Sequence, residues 1–125
     1  MAAQGGGLAG MRVLVAEDET PLAMEIVEVL REQGCVIVGP VAKLEDAVAA
    51  AQREPLDWAI LDVNLRGGHV FPAAEALLRR GIGFVFATGY EDLHLFPDHM
   101  RAVPRLEKPY GMNDLILRAR GVARG

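Results

Sequence analysis

The feature that most constrains this chain is a repeated change of hydrophobic period. Val13-Leu14-Val15-Ala16, Val36-Ile37-Val38, Trp58-Ala59-Ile60-Leu61 and Phe84-Val85-Phe86-Ala87 are short, unbroken apolar runs. Such runs read as strands covered by helices on both faces. Between them, apolar residues recur at helical spacing: Leu22, Ile26, Val29 and Leu30; then Leu44, Ala47, Val48 and Ala51; then Val70, Ala73, Ala74, Leu77 and Leu78. Punctuation agrees with the periods. Thr20 offers an N-cap with Pro21 at the first helical position, Gly34 stops that helix, and Pro55 and Gly81 stop the next two.

The last third is less regular. Leu93-His94-Leu95-Phe96 is broken by Pro97 and predicts at most a short helix. Val103 to Leu106 contains Pro104 and Arg105, so it reads as an edge strand, where a missing ladder donor is tolerated. Met112, Leu115, Ile116 and Ala119 mark a final helix. Five strands alternating with helices on short connections imply an α/β fold, a doubly wound parallel sheet with helices on both faces. Among such folds the flavodoxin-like strand order 2-1-3-4-5 is expected.

A chain of 125 residues suits a single domain with one core. Cys35 is the sole cysteine, beside an apolar run, and predicts a buried thiol in a reducing compartment. No apolar run approaches the length of a membrane span, and no signal-peptide pattern is present, so a soluble cytoplasmic protein is expected, without membrane contact. With 17 acidic and 13 basic side chains the formal charge is −4. In the absence of a basic stripe, that balance argues against direct nucleic-acid binding. Gly5 to Gly10 satisfies G-x-G-x-x-G, but it precedes the first strand and opens no helix, so it reads as a chance match. Residues 1–10 are expected to be a flexible leader to a domain spanning 11–125.

Chemistry collects at strand ends. The first run closes on Glu17-Asp18, the third on Asp62, the fourth on Thr88 and, more weakly, the fifth on Lys108. In one parallel sheet, their carboxyl ends bring three carboxylates, a hydroxyl and an ammonium to the edge where open α/β sheets bind ligands. That set can hold a divalent metal and a phosphoryl group. Each residue has a duller reading: Glu17-Asp18 as charge favouring a helix N-terminus, Asp62 as a turn cap, Lys108 as a surface lysine. Unrelated surface choices would not fall at four strand ends of one sheet.

With Asn64 and Pro109 added, the set Glu17-Asp18, Asp62, Asn64, Thr88 and Lys108-Pro109 resembles, in order, that of a response-regulator receiver domain of two-component signalling. Phe86-Ala87-Thr88-Gly89-Tyr90 further resembles a single-domain subgroup with the signature Phe-Ala-Thr-Gly-hydrophobic-Tyr, although Glu91 stands where the last tyrosine is expected. The resemblance implies that Asp62 is the phosphoacceptor, taking a phosphoryl group from a phosphohistidine on a sensor histidine kinase or histidine phosphotransfer protein. It implies Mg²⁺ (or Mn²⁺) bound by Asp18, Asp62 and the backbone carbonyl of Asn64, with Glu17 acting through water. It implies Lys108 as a charge partner of the phosphoryl group and Thr88 as its hydrogen-bond partner and switch. A cis Lys108-Pro109 bond is implied as well. The expected module is a monomer or weak dimer that signals rather than turning over substrate, its own phosphorylation and dephosphorylation apart.

The output departs from that pattern. The family's switch aromatic, three residues before the lysine, is here Arg105. The switch set is therefore taken as Thr88, Tyr90 and Arg105, with the signal carried by rearrangement of residues 90–104, whose Pro97 and sparse apolar pattern suggest low local stability. The resemblance places the partner-binding face on the fourth helix, fifth strand and fifth helix. The chain's end at Gly125 favours a stand-alone receiver, with an excised piece of a larger regulator as the alternative. Two other classes stay open: a phosphate-independent interaction module, and an aspartate-nucleophile phosphohydrolase of the haloacid-dehalogenase type, which would want aspartate where Asn64 stands. His69 reads as a loop histidine, His94 and His99 as too poorly spaced for a metal, Gly67-Gly68 as a tight loop, and Trp58 as core.

Overall fold

The computed structural model describes residues 7–123. Along the chain run β1 (Arg12–Ala16), α1 (Thr20–Glu32), β2 (Val36–Val41), α2 (Leu44–Arg53), β3 (Trp58–Asp62), β4 (Asn64–Leu65), β5 (Gly68–His69), α3 (Phe71–Arg80), β6 (Gly83–Thr88), 3₁₀ turns at Tyr90–Leu95 and Asp98–Met100, β7 (Arg105–Glu107) and α4 (Met112–Ala123). The main sheet has the order β2-β1-β3-β6-β7, every pair parallel. With the small β4-β5 hairpin set aside, this is the expected flavodoxin-like 2-1-3-4-5 arrangement.

Alternate residues of each central strand feed two separate cores. Leu14, Ala59, Leu61, Phe84 and Phe86 pack with Ala47, Ala51, Ala73 and Leu77 of α2 and α3. Val13, Val15, Trp58, Ile60 and Val85 pack with Ile26, Leu30, Leu115 and Ala119 of α1 and α4. This two-sided burial is why β3 reads as an unbroken apolar run rather than an alternating one. On the edge, β2 is largely unburied and accommodates Pro40. The ladder slips there between Leu14 and Ala16. Gly39 has φ +105°, and a Cβ on it would sit 2.9 Å from the Val15 carbonyl oxygen, so the slip needs glycine.

Several local expectations shift. Helix α1 begins at Thr20 with Glu19 in the cap position, one residue earlier than the expected Thr20 cap, because the Glu19 N–H donates to the Glu17 carboxylate (3.0 Å) and bends the entry loop back over the sheet edge. The crossover from β6 to β7 holds two 3₁₀ turns and no α-helix. It is not loosely held, since Phe96 and Met100 are both buried in the α2-α3 core. The first six residues of the expected leader lie outside the described residues. Within residues 7–10, Leu8 is fully buried in the core that also holds Trp58, Leu30 and Cys35, and the Gly10 N–H donates to the Gly34 carbonyl (2.8 Å). Hydrophobic burial of one leucine is worth about 2 kcal/mol, enough to tie this stretch to the domain. Lys108-Pro109 is cis, as expected, and Gly39-Pro40 is cis as well. Among the described residues, no helix is long and apolar enough to cross a membrane.

Candidate functional site

The carboxyl edge of the sheet assembles the predicted groups. Register aligns Ala16 with Leu61, and Asp62 with Ala87, so Glu17, Asp62 and Thr88 emerge side by side from β1, β3 and β6. All three are buried, Asp62 at 4% exposure. Lys108 follows β7, and its backbone N–H donates to the Thr88 carbonyl (2.9 Å), which fixes the lysine beside the β6 terminus. Its Nζ then reaches Asp62 Oδ2 at 3.1 Å and Glu17 Oε1 at 3.3 Å. Glu17 and Asp62 thus share the ammonium of a residue 91 and 46 positions further along the chain.

One carboxylate oxygen from each of Glu17, Asp18 and Asp62 lies within 4.8 Å of the other two. Glu17 Oε1, although in ionic contact with Lys108, is buried with no hydrogen-bond partner among the described residues. Three oxygen donors around a common point, one with an unused lone pair, suit a hard divalent cation. The residues therefore fit Mg²⁺ or a cation like it.

Electrostatics sharpen the picture. Burial first, then the neighbouring Glu17, push the Asp62 carboxyl up to about 8, with Lys108 pulling the other way. Burial alone would lower Lys108, but the Asp62 and Glu17 carboxylates win and hold it above its ordinary value. Lys108 thus stays a cation, while the Asp62 carboxylate needs further positive charge to stay ionised near neutral pH.

The remaining predicted residues occupy the rim. The Asn64 backbone N–H donates to Asp62 Oδ1 (3.2 Å), so β4 leaves the site directly from the carboxylate. The Thr88 hydroxyl donates to the Gly89 carbonyl (3.0 Å). Tyr90 projects outward at 77% exposure. Arg105 does not mimic an aromatic: its guanidinium lies 6.0 Å from the Phe96 ring and donates to the Arg101 carbonyl. His69 pairs with Asn64 in the small hairpin and lies 6.2 Å from Phe71, while His94 is exposed and His99 contacts Glu75 (2.9 Å).

Three contributors had been missed. Phe96 stacks edge-on against Phe86 and Phe71 (4.9 and 5.3 Å between centroids), filling the region under the Arg105 guanidinium. Tyr110 is half-buried, its hydroxyl pushed up by burial and then by the Glu17 and Asp62 carboxylates, which marks it as a wall of the same basin. Asp92 accepts hydrogen bonds from the Asn64 side-chain amide (2.9 Å) and the Gly89 N–H (3.2 Å) on one oxygen. Its spacing after Gly89, an acidic residue three positions past a helix cap, was a signal available in the sequence.

No family model matches the chain. It is 35% identical over 108 residues, 84% of its length, to the transcriptional regulatory protein PdtaR of Mycobacterium tuberculosis, covering 53% of that protein. The chain spans about half the length of the curated relatives it matches. The solution structure of SdrG from Sphingomonas melonis superposes with a TM-score of 0.77 at 36% identity, covering 95% of this chain and 99% of that one. A CheY-like response regulator receiver domain protein from Methanospirillum hungatei superposes at 0.80 over 93% of this chain and 95% of that one; at 21% identity, that likeness speaks to fold alone.

Proposed function

This chain belongs to the response-regulator receiver family, and from that premise we propose that Asp62 accepts a phosphoryl group from a phosphohistidine and thereby switches partner binding. The observation that carries the reading is the ammonium of Lys108 3.1 Å from a buried carboxylate that shares a three-oxygen basin with Glu17 and Asp18. A solvated surface lysine has no reason to sit there, and transferring an anion onto an anion needs that charge.

In the transfer, an Asp62 carboxylate oxygen forms the new P–O bond while the P–N bond of the donor breaks. The bonding pair returns to the imidazole ring, which takes up a proton. Lys108 neutralises charge on the phosphoryl oxygens, and the Thr88 hydroxyl leaves the Gly89 carbonyl to donate to one of them. Asp18 and Asp62, with the Asn64 carbonyl and Glu17 through water, would hold Mg²⁺ or Mn²⁺; when bound, the cation supplies the charge that keeps Asp62 ionised and lowers repulsion with the incoming group. The donor is a sensor histidine kinase or a histidine phosphotransfer protein in the cytoplasm, and the chemistry is limited to the protein's own phosphorylation and dephosphorylation. The Phe86-to-Tyr90 signature supports assignment to the single-domain subgroup.

Incubation with acetyl phosphate and Mg²⁺ followed by intact-mass measurement tests this. One phosphoryl adduct in the native protein, absent in Asp62→Asn and absent when the metal is chelated, is the expected result. An adduct that survives Asp62→Asn, or none at all in the native chain, would overturn it.

A further inference from the structure

The phosphoryl-accepting reading leaves one carboxylate without a task. Asp92, in the turn Tyr90–Leu95, lies outside the sheet, yet its Oδ2 joins Gly89, just past β6, to Asn64, just past β3. One donor is the Gly89 N–H, two residues beyond Ala87, the strand partner of Asp62. The other is the side-chain amide of Asn64, whose own backbone N–H already touches Asp62 Oδ1.

The bond to Gly89 alone would be an ordinary helix-entry contact, the third residue of a turn reaching back to its cap. Asn64 is what makes the arrangement more than local. It belongs to a different strand and converges on the same oxygen. Among the described residues Asp92 forms no ion pair, so these two N–H groups are what its charge rests on.

We propose that Asp92 is an internal stand-in for the phosphoryl group: it reserves the Gly89 N–H and the Asn64 amide beside Asp62 and yields them once Asp62 is phosphorylated. The inference rests on the phosphoacceptor reading of Asp62. A phosphoryl group brings about −1.5 to −2 of charge and three strong acceptor oxygens. Installed on Asp62, it faces the same two donors at short range and repels the Asp92 carboxylate. Asp92 is then a positioning residue that sets the rate of phosphoryl uptake. Its departure frees the turn that displays Tyr90 and leads into Phe96, which gives the domain an output that needs no aromatic at position 105.

The test compares native protein with Asp92→Ala, Asp92→Asn and Glu91→Gln, all with acetyl phosphate and Mg²⁺, by intact mass against time. Glu91 is an exposed neighbouring charge outside these hydrogen bonds, so its variant reports on net charge alone. Uptake in Asp92→Ala rises roughly ten- to a hundredfold, the scale of losing hydrogen bonds to a charged acceptor. Asp92→Asn, which keeps an acceptor, lies between, and Glu91→Gln matches native protein. Amide NMR adds a signature: the Gly89 and Asn64 side-chain N–H signals of native protein shift on phosphorylation, and those of unphosphorylated Asp92→Ala have already left their native positions. Equal uptake in native and Asp92→Ala protein, equal acceleration in Glu91→Gln, or unmoved Gly89 and Asn64 signals overturns the stand-in while leaving Asp62 as acceptor. No adduct in any of the four proteins instead removes the phosphoacceptor reading, and this inference with it.

Discussion

Replacing Asp62 by asparagine should stabilise the metal-free protein. The carboxyl is buried at 4% exposure and raised from 3.8 to about 8, chiefly by burial and then by Glu17. The folded state therefore holds a proton that the unfolded state releases. A folded-state value above the unfolded one means that stability is highest at low pH and falls as pH rises from about 4 to about 8. At pH 7 the accumulated cost has a ceiling of about 4 kcal/mol. Asparagine avoids that cost, in which the attraction of Lys108 is already contained. A gain of a few kcal/mol at most remains, or up to roughly 10 °C in Tm for a domain of this size. Thermal unfolding of both proteins in EDTA from pH 5 to 8 measures it: the advantage of Asp62→Asn should grow with pH. Saturating Mg²⁺ should then stabilise native protein, by about 2.7 kcal/mol at a hundredfold excess over Kd, and leave the variant nearly unmoved. A variant less stable than native at pH 8, or a difference that does not change with pH, would refute the account of Asp62 as a carboxylate held against its preference.

Three further outcomes follow from the same geometry. Lys108→Ala leaves Asp62 and Glu17 facing each other without their shared cation, and phosphoryl uptake from acetyl phosphate should fall by about tenfold or more, read by intact mass. Phe96→Ala removes a buried ring that contacts Phe71, Phe86 and the Arg105 guanidinium, and should cost about 3–5 kcal/mol in urea unfolding. Cys35 is buried and raised to about 11, so its alkylation by iodoacetamide at pH 8 should be slow in folded protein and fast in denaturant.

The sheet and its site were legible for the same reason. Trp58 to Leu61 is apolar on both faces because both faces are covered, and the run must end where solvent or a ligand begins, at Asp62. Glu17 and Thr88 are each the first polar side chain past such an end, and Lys108 is the first residue past β7. Legibility failed where tertiary contacts decided. Leu8 looked like part of a glycine-rich leader, since nothing in its neighbours announces the pocket formed by Trp58, Leu30 and Cys35. The slip at Gly39 depends on how β2 meets β1, and the hairpin of Asn64–Leu65 with Gly68–His69 is too short to show a period. Asp92 was overlooked because its meaning comes from Asn64, 28 positions away. The β6-β7 crossover reads as sparse in apolar residues, yet two of them, Phe96 and Met100, are enough to pin it.

The enclosure of Trp58 has a practical side. It is the chain's single tryptophan, fully buried, and starts the strand that Asp62 finishes. Four residues of extended chain put the indole about 13 Å from the carboxylate. Its emission should report loss of the α1-α4 core while staying nearly indifferent to what binds at the sheet edge. The molecule thus carries a built-in fluorophore that separates unfolding from occupancy without any added label.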